Sequence, residues 1–360
     1  MSLHSEAELN QLVLYCRPGF EKECAAEISE LAALQGVVGY VKAKPNDGYV
    51  VYVAHAVNGA AQLLQKMDFS ELVFAREWFA ALPQIEELPT DDRVSTLIDS
   101  AASLGRFSDI SIEYTDTNEG KSLSKLCRKI SHPLRQAMQK KGLLKNNSSW
   151  RLHILFLDGG SAFVGVGNPA NGSPWPMGVP RLKMPKAAPS RATLKLDEAI
   201  LWFLQGDRQH ELMKAGTLAV DLGAAPGGWT WQLVQRGLYV DAVDNGPMDK
   251  DLMNTGMVAH VRGDAYTYEP KGNVSWLVCD IADKPARTAD MVGRWVSKRW
   301  CRRAIFNLKL PMKQRYQAVQ DCRQKIEEAL EKAGMSAELR FKQLYHDREE
   351  VTGFLAVNDS

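Results

Sequence analysis

From Thr217 onward the chain alternates apolar, β-branched runs with stretches of helical spacing, a rhythm that few folds accommodate. The strand candidates are "TLAVDL", "LYVDAVD", "MVAHVRG", "SWLVCD" and "AIFNLKL", and the longest helical stretch runs from Lys313 to Lys332. Parallel strands require crossover connections, so this alternation predicts an α/β fold with a parallel, doubly wound sheet. The final segments, "AELRFKQLYHD" and "VTGFLAVN", are adjacent strands that should pair as an antiparallel ribbon at or near the sheet edge.

The N-terminal half has a different grammar. A strand, "LVLYC", precedes "RPGFEKECAAEISELAAL", where Phe20, Cys24, Ala25, Ile28, Leu31 and Leu34 fall at helical spacing. Two β-rich runs then flank a Pro-Asn-Asp-Gly turn, a hairpin signal, and a helical run follows near Val57 to Met67. A second unit reads as strand "DISIEYTDT", helix between Lys121 and Leu144, and strands "WRLHILFLD" and "SAFVGVG". Six prolines between Asn168 and Pro189 forbid regular helix and predict a stiff connector. The expected divisions are therefore 1–85, 86–168, a linker over 169–189, and a C-terminal domain over 190–360.

Composition narrows the setting. There are 44 Lys and Arg against 43 Asp and Glu, so any attraction for nucleic acid must come from local clusters. The acid-bearing first residues do not read as a leader peptide, and no run of 18 apolar residues suggests a membrane span. The six cysteines are far apart with no Cys-x-x-Cys, as expected of buried free thiols in a cytoplasmic protein.

In a doubly wound sheet, ligands bind beyond the carboxyl ends of the strands, near the point where strand order reverses. The five strand ends carry Gly223, Asp244, Asp264, Asp280 and Lys309, and the first opens the loop "DLGAAPGGWT". Gly223, Gly227 and Gly228 allow close backbone approach, or serve only as turn residues. Asp244 follows at a spacing suited to ribose hydroxyls. A pyrophosphate cradle is disfavoured because Ala225 stands where a dinucleotide loop has its second glycine, and Pro226 offers no N–H. S-adenosyl-L-methionine, with an amino-acid group and an adenosine, fits better. Asp264 would then meet the adenine amino group, or merely cap a turn.

After strand four the chain reads "CDIADKP", without the Pro-Pro-aromatic signature of base-amine methylation. Cys279 is the sole candidate thiolate for pyrimidine C5 chemistry, yet it alternates with Asp280 and should face the core. What remains is Lys195, Asp280, Lys309 and Glu350. A ribose 2′-hydroxyl needs a base, and a lysine serves only when neutral, which a cationic neighbour or desolvation promotes. Lys195 would supply that repulsion, while Asp280 and Glu350 orient the amines. Displacement at a sulfonium needs positioning and requires no metal.

This set around "DLGAAPGGWT" resembles the Lys-Asp-Lys-Glu tetrad of FtsJ-like RNA ribose 2′-O-methyltransferases. Together with "VDNGPM", "FNLKLPMK" and "LYHDREEVT", the whole chain is similar to the RlmM-type bacterial 23S rRNA cytidine 2′-O-ribose methyltransferases. The resemblance implies a class I methyltransferase domain, Rossmann-like with a mostly parallel seven-stranded sheet, behind a ferredoxin-like subdomain and a THUMP-like RNA-binding subdomain. It implies Lys309 as proton acceptor and cofactor contacts from Ser190, Gly223, Ala224, Ala225, Pro226, Gly227, Gly228, Asp244, Asp264 and Asp280. The implied target is cytidine 2498 of 23S rRNA, free or in an early large-subunit particle, with the enzyme acting as a monomer away from membranes. Many relatives carry Cys where this chain has Ala225. Glu349 and Glu350 both remain candidates for the acidic member, and one residue changes the face of a strand.

Between Lys121 and Lys145 there are eight Lys or Arg and no acids, including Lys121, Lys125, Arg128 and Lys129. Leu123, Leu126, Ile130 and Leu134 at helical spacing predict an apolar seam beneath a basic face. A second acid-free cluster contains Arg181, Lys183, Lys186 and Arg191 and ends at Lys195; a third spans Arg294 to Arg303. Such runs are commonly only solvated faces, but three of them suggest a phosphate-contacting track. Two other readings stand beside this one: a non-catalytic RNA-binding protein on a methyltransferase-like fold, and a nicotinamide-dependent oxidoreductase, which Ala225-Pro226 disfavours.

Overall fold

The structure, a computed structural model, describes residues 8–358; the leader-peptide expectation rests largely on residues 1–7, outside that range. Between Pro180 and Arg181 the chain divides into two compact units.

The first unit is built on β1 (Gln11–Tyr15), β2 (Gly39–Lys42), β3 (Tyr49–Ala54), β4 (Glu77–Ala81), β5 (Asp109–Tyr114), β6 (Arg151–Phe156) and β7 (Ala162–Gly167). The hairpin forms as the turn residues predict, with β2 antiparallel to β3. Strand β4, within "EWFAA", carries no alternation because all five of its residues are buried, and it escaped the sequence reading. It matters, because β4 pairs with β1 on one side and β7 on the other, giving one continuous sheet in the order β2-β3-β1-β4-β7-β6-β5. The segments expected as separate subdomains, 1–85 and 86–168, thus share a sheet.

The proline-rich stretch is not all linker. Its first part folds into two short 3₁₀ turns, Pro169–Asn171 and Pro176–Gly178. The Asn171 side chain donates to the carbonyls of Leu64 and Met67 and accepts from the Phe69 N–H, which ties it into the first unit. Proline excludes helix there, but the side chains supply tertiary anchors that local propensity does not reveal.

The second unit contains β8 (Leu218–Leu222), β9 (Tyr239–Val243), β10 (Val258–Val261), β11 (Val274–Cys279), β12 (Cys301–Lys309), β13 (Ala337–Lys342) and β14 (Glu350–Val357). The order is β10-β9-β8-β11-β12-β14-β13, with every pair parallel except those made by β14. The Rossmann-like α/β class is therefore as expected, and the antiparallel strand lies second from the edge. The order reverses between β8 and β11, the central pair. Their runs of Val, Leu and Ala are buried on both faces, as parallel strands between helical layers must be.

Candidate active site

The loop after β8 and the residue after β11 meet at that reversal. A Cβ on Gly223 would sit 2.7 Å from Ile281 Cγ1 and 3.7 Å from the Asp280 carbonyl. Gly227 has φ +117°, and a Cβ there would stand 2.5 Å from Leu252 Cδ2. On Gly228 it would meet Ser190 Oγ at 2.4 Å. At Gly227 and Gly228 a side chain would collide with protein atoms, so the loop packs closely against Leu252 and Ser190. The contact also places Ser190 directly against the start of the helix Gly228–Gln235.

Asp244 holds the loop from the other side. Its Oδ2 accepts from the Ala225 N–H at 3.0 Å and its Oδ1 from the Gly246 N–H at 2.7 Å. Asp264 is exposed and caps its own turn, accepting from the Tyr266 N–H at 2.9 Å. Asp221, at the end of β8, is buried and accepts from Thr230 Oγ1 at 2.6 Å, and burial pushes its carboxyl up to about 7. The loop and helix over 221–235 contain no Lys or Arg. A loop flanked by carboxylates and free of cations suits a cationic sulfonium with hydroxyl and amine donors.

Four sequence-predicted residues converge beside it. Lys195 projects from the helix Thr193–Phe203, and its Nζ lies 3.1 Å from Asp280 Oδ2 and 2.6 Å from Glu350 Oε2. Glu350 Oε1 in turn stands 3.6 Å from Lys309 Nζ. Burial acts against the Lys195 charge, but Asp280 and Glu350 outweigh it and leave its pKa above the ordinary value. Lys309 is the most exposed member, 42% accessible at its side chain against 13% for Glu350. Glu349 is turned away and pairs with Arg315 at 2.5 Å, so Glu350 is the acid of this cluster. Cys279 is fully buried, and burial drives its thiol pKa far upward, as expected for a packing residue.

The sequence reading missed the layer behind. Asn307 Nδ2 donates to Asp280 Oδ1 at 2.9 Å, and Asn307 Oδ1 lies 2.8 Å from Thr352 Oγ1. Glu198, one turn beyond Lys195, accepts from the Tyr345 and His346 N–H groups at 2.8 and 2.9 Å, and so anchors the segment before β14. The available signal was period two in a strand: Asn307 is i−2 from Lys309 and Thr352 is i+2 from Glu350.

Of the basic residues, Lys121, Lys125, Arg128 and Lys129 are exposed in the first unit, and Arg181, Lys183, Lys186 and Arg191 are exposed in the second. The seam beneath the helix Ser124–Lys140 is Cys127, Ile130, Leu134 and Met138; Leu123 and Leu126 are only half-buried. The third cluster flanks the start of β12, where Cys301 is separated from Lys309 by roughly 26 Å of strand. It lies at the opposite end of the sheet from the rim.

Residues 188–333 match the FtsJ-like methyltransferase family, residues 9–79 the RlmM ferredoxin-like domain, and residues 92–168 the N-terminal region of ribosomal RNA large subunit methyltransferase M. Over 349 residues the chain is 56% identical to the ribosomal RNA large subunit methyltransferase M of Cellvibrio japonicus, covering 97% of this chain and 100% of that one. The chain belongs to the ribosomal RNA large subunit methyltransferase M family. Its similarity to the proteins of that name from Pseudoalteromonas translucida and Marinomonas sp. is 48% over 353 residues and 47% over 350, covering 97% of this chain and 98% and 100% of theirs. It is an rRNA methyltransferase, and S-adenosyl-L-methionine is its methyl donor. The cation-free loop and the carboxylate of Asp244 fit that donor. No helix among the described residues is long and apolar enough to cross a membrane.

Proposed function

We propose that the protein methylates the ribose 2′-hydroxyl of a cytidine in 23S rRNA, the position implied by the sequence resemblance being cytidine 2498. The observation that carries the proposal is Lys195 clamped between Asp280 and Glu350, with Lys309 facing the same Glu350. The donor supplies an electrophilic methyl group on a sulfonium. The residues that would hold the donor are the loop Gly223–Gly228 and Ser190, with Asp244 toward its ribose hydroxyls and Asp264 toward its adenine amino group; transfer to the acceptor ribose then needs positioning of the two substrates.

Lys309 takes the 2′-hydroxyl proton. It is the member exposed enough to reach a nucleotide, and it must be neutral to act. Glu350 bridges Lys195 and Lys309 so that both side chains stay in place. Asp280 holds Lys195 from the far side. The basic residues Lys121, Lys125, Arg128, Lys129, Arg181, Lys183, Lys186 and Arg191 neutralise RNA phosphates.

The test is transfer from tritiated S-adenosyl-L-methionine to unmodified 23S rRNA, followed by nucleoside analysis. Label in 2′-O-methylcytidine that disappears in Lys309→Ala supports the reading. Label in a base methyl overturns it, and cofactor binding without turnover on free rRNA or on large-subunit precursors favours a binding role.

A further inference from the structure

Asp347 is fully buried and lies close enough to Glu350 and Lys195 to interact with their charges. Its Oδ2 accepts the Leu344 N–H at 3.0 Å, and its two oxygens lie 3.2 and 3.0 Å from Thr352 Oγ1. Thr352 Oγ1 also lies 2.8 Å from Asn307 Oδ1. A threonine hydroxyl carries one proton, so it cannot donate to both neighbours.

The orientation of Asn307 decides where that proton goes. Asp280 meets the Lys195 ammonium with both oxygens, at 3.2 and 3.1 Å, and is therefore ionised and only an acceptor. The Asn307 group 2.9 Å from Asp280 must then be its NH₂, which turns its carbonyl oxygen toward Thr352. That oxygen needs the Thr352 proton. The contact from Thr352 to Asp347, at 3.0 to 3.2 Å, is then a hydrogen bond only if Asp347 supplies a proton of its own.

We propose that Asp347 is held as a neutral carboxylic acid, the head of a one-way hydrogen-bond chain through Thr352 and Asn307 that orients Asp280 toward Lys195. It is a positioning residue, acting through Asp280. The groups that face it agree with this protonation. Burial, Glu198 from the helix Thr193–Phe203, and Glu350 from β14 all disfavour a carboxylate there and outweigh the Leu344 N–H and Lys195, which favour one. His346, beside it, is engaged with Glu198 at 2.6 Å. An ionised Asp347 would add a further negative charge behind Glu350, and would favour the charged form of the proposed base.

The kinetic arm of the test rests on the ribose-methylation reading; the spectroscopic arm does not need turnover. Infrared difference spectra of the full-length protein at neutral pH, wild type against Asp347→Asn, should show a protonated carboxyl C=O band that shifts in D₂O and is missing from the variant. Carboxylate bands in its place would overturn the proposal. In kinetics, Asp347→Ala should lower kcat by about tenfold or more with KM for the donor within about twofold, and Asp347→Asn should restore most of that loss because it keeps a neutral donor. If Asp347→Asn is as slow as Asp347→Ala, or moves the pH–rate limb assigned to the base, the acid is ionised and the proposal fails.

Discussion

Lys309 and Glu350 are direct partners in the antiparallel register of β12 and β14, and two residues inward Asn307 lies opposite Thr352 in the same ladder. Directly opposed residues share a face, so the register alone brings Lys309, the proposed base, together with Glu350, Asn307 and Thr352 to one side of the sheet. The helix carrying Lys195 then closes the cluster from above that side. From this arrangement Lys309→Ala should reduce methylation by roughly 10² to 10⁴-fold, the usual worth of a positioned base. Because Lys309 is half-exposed, the circular dichroism spectrum and donor affinity should be unchanged. Retained turnover with intact folding would remove it from the role of base.

Lys195 behaves differently, because it holds the structure as well as the site. Lys195→Met leaves Asp280 and Glu350 without their shared cation and should cost about 3 kcal/mol of stability, read from denaturant melts at pH 7. The folded pKa of Lys195 lies above its ordinary 10.5, so its stabilisation is complete below that pH and is lost as pH rises through the folded value. Wild type should therefore lose more stability than Lys195→Met above about pH 10.5.

Asp221 has the opposite consequence at lower pH. Its buried carboxyl is pushed up to about 7 from an ordinary 3.8, so the folded protein holds a proton that the unfolded chain has released between those values. Stability due to this group is greatest below pH 3.8 and declines as pH rises toward 7. Asp221→Asn should flatten this part of the stability–pH curve. An unchanged slope would show that Asp221 is ionised in the folded protein.

The close approach of Gly228 and Ser190 gives a pairwise test. Gly228→Ala should cost about 1 to 3 kcal/mol by overpacking and weaken donor binding measured by calorimetry. Adding Ser190→Ala removes the Oγ that the new methyl meets at 2.4 Å, so the double variant should be less impaired than the two single losses summed. Simple additivity would mean that the loop relaxes elsewhere.

The exposed cations of the helix Ser124–Lys140 should act through phosphates. Lys125→Ala with Arg128→Ala should weaken binding to 23S rRNA fragments and lower the slope of log affinity against log salt by roughly 1 to 2. An unchanged slope would place RNA on another face.

Much of this was legible in the residues because the patterns are local. The βα alternation, the glycine loop and the charged strand ends specify a doubly wound sheet and a rim, and periods of 2 and 3.6 show which side chains share a face. Strand β4 was hidden because full burial erases alternation, and the anchoring of residues 169–180 was hidden because proline density reports only what the backbone avoids.

The choice between Glu349 and Glu350 shows the division most plainly. Residue types at strand and helix ends are enough to group an acid near the start of the last strand with Lys195, Asp280 and Lys309. Which acid it is depends on the register of β14 against β12. Register is a non-local pairing between segments some forty residues apart, so only the tertiary structure turns Glu350 toward the lysines and leaves Glu349 to Arg315. The same holds for Asn307, Thr352 and Asp347, whose hydrogen-bond chain exists only once both strands and the Lys195 helix are in place.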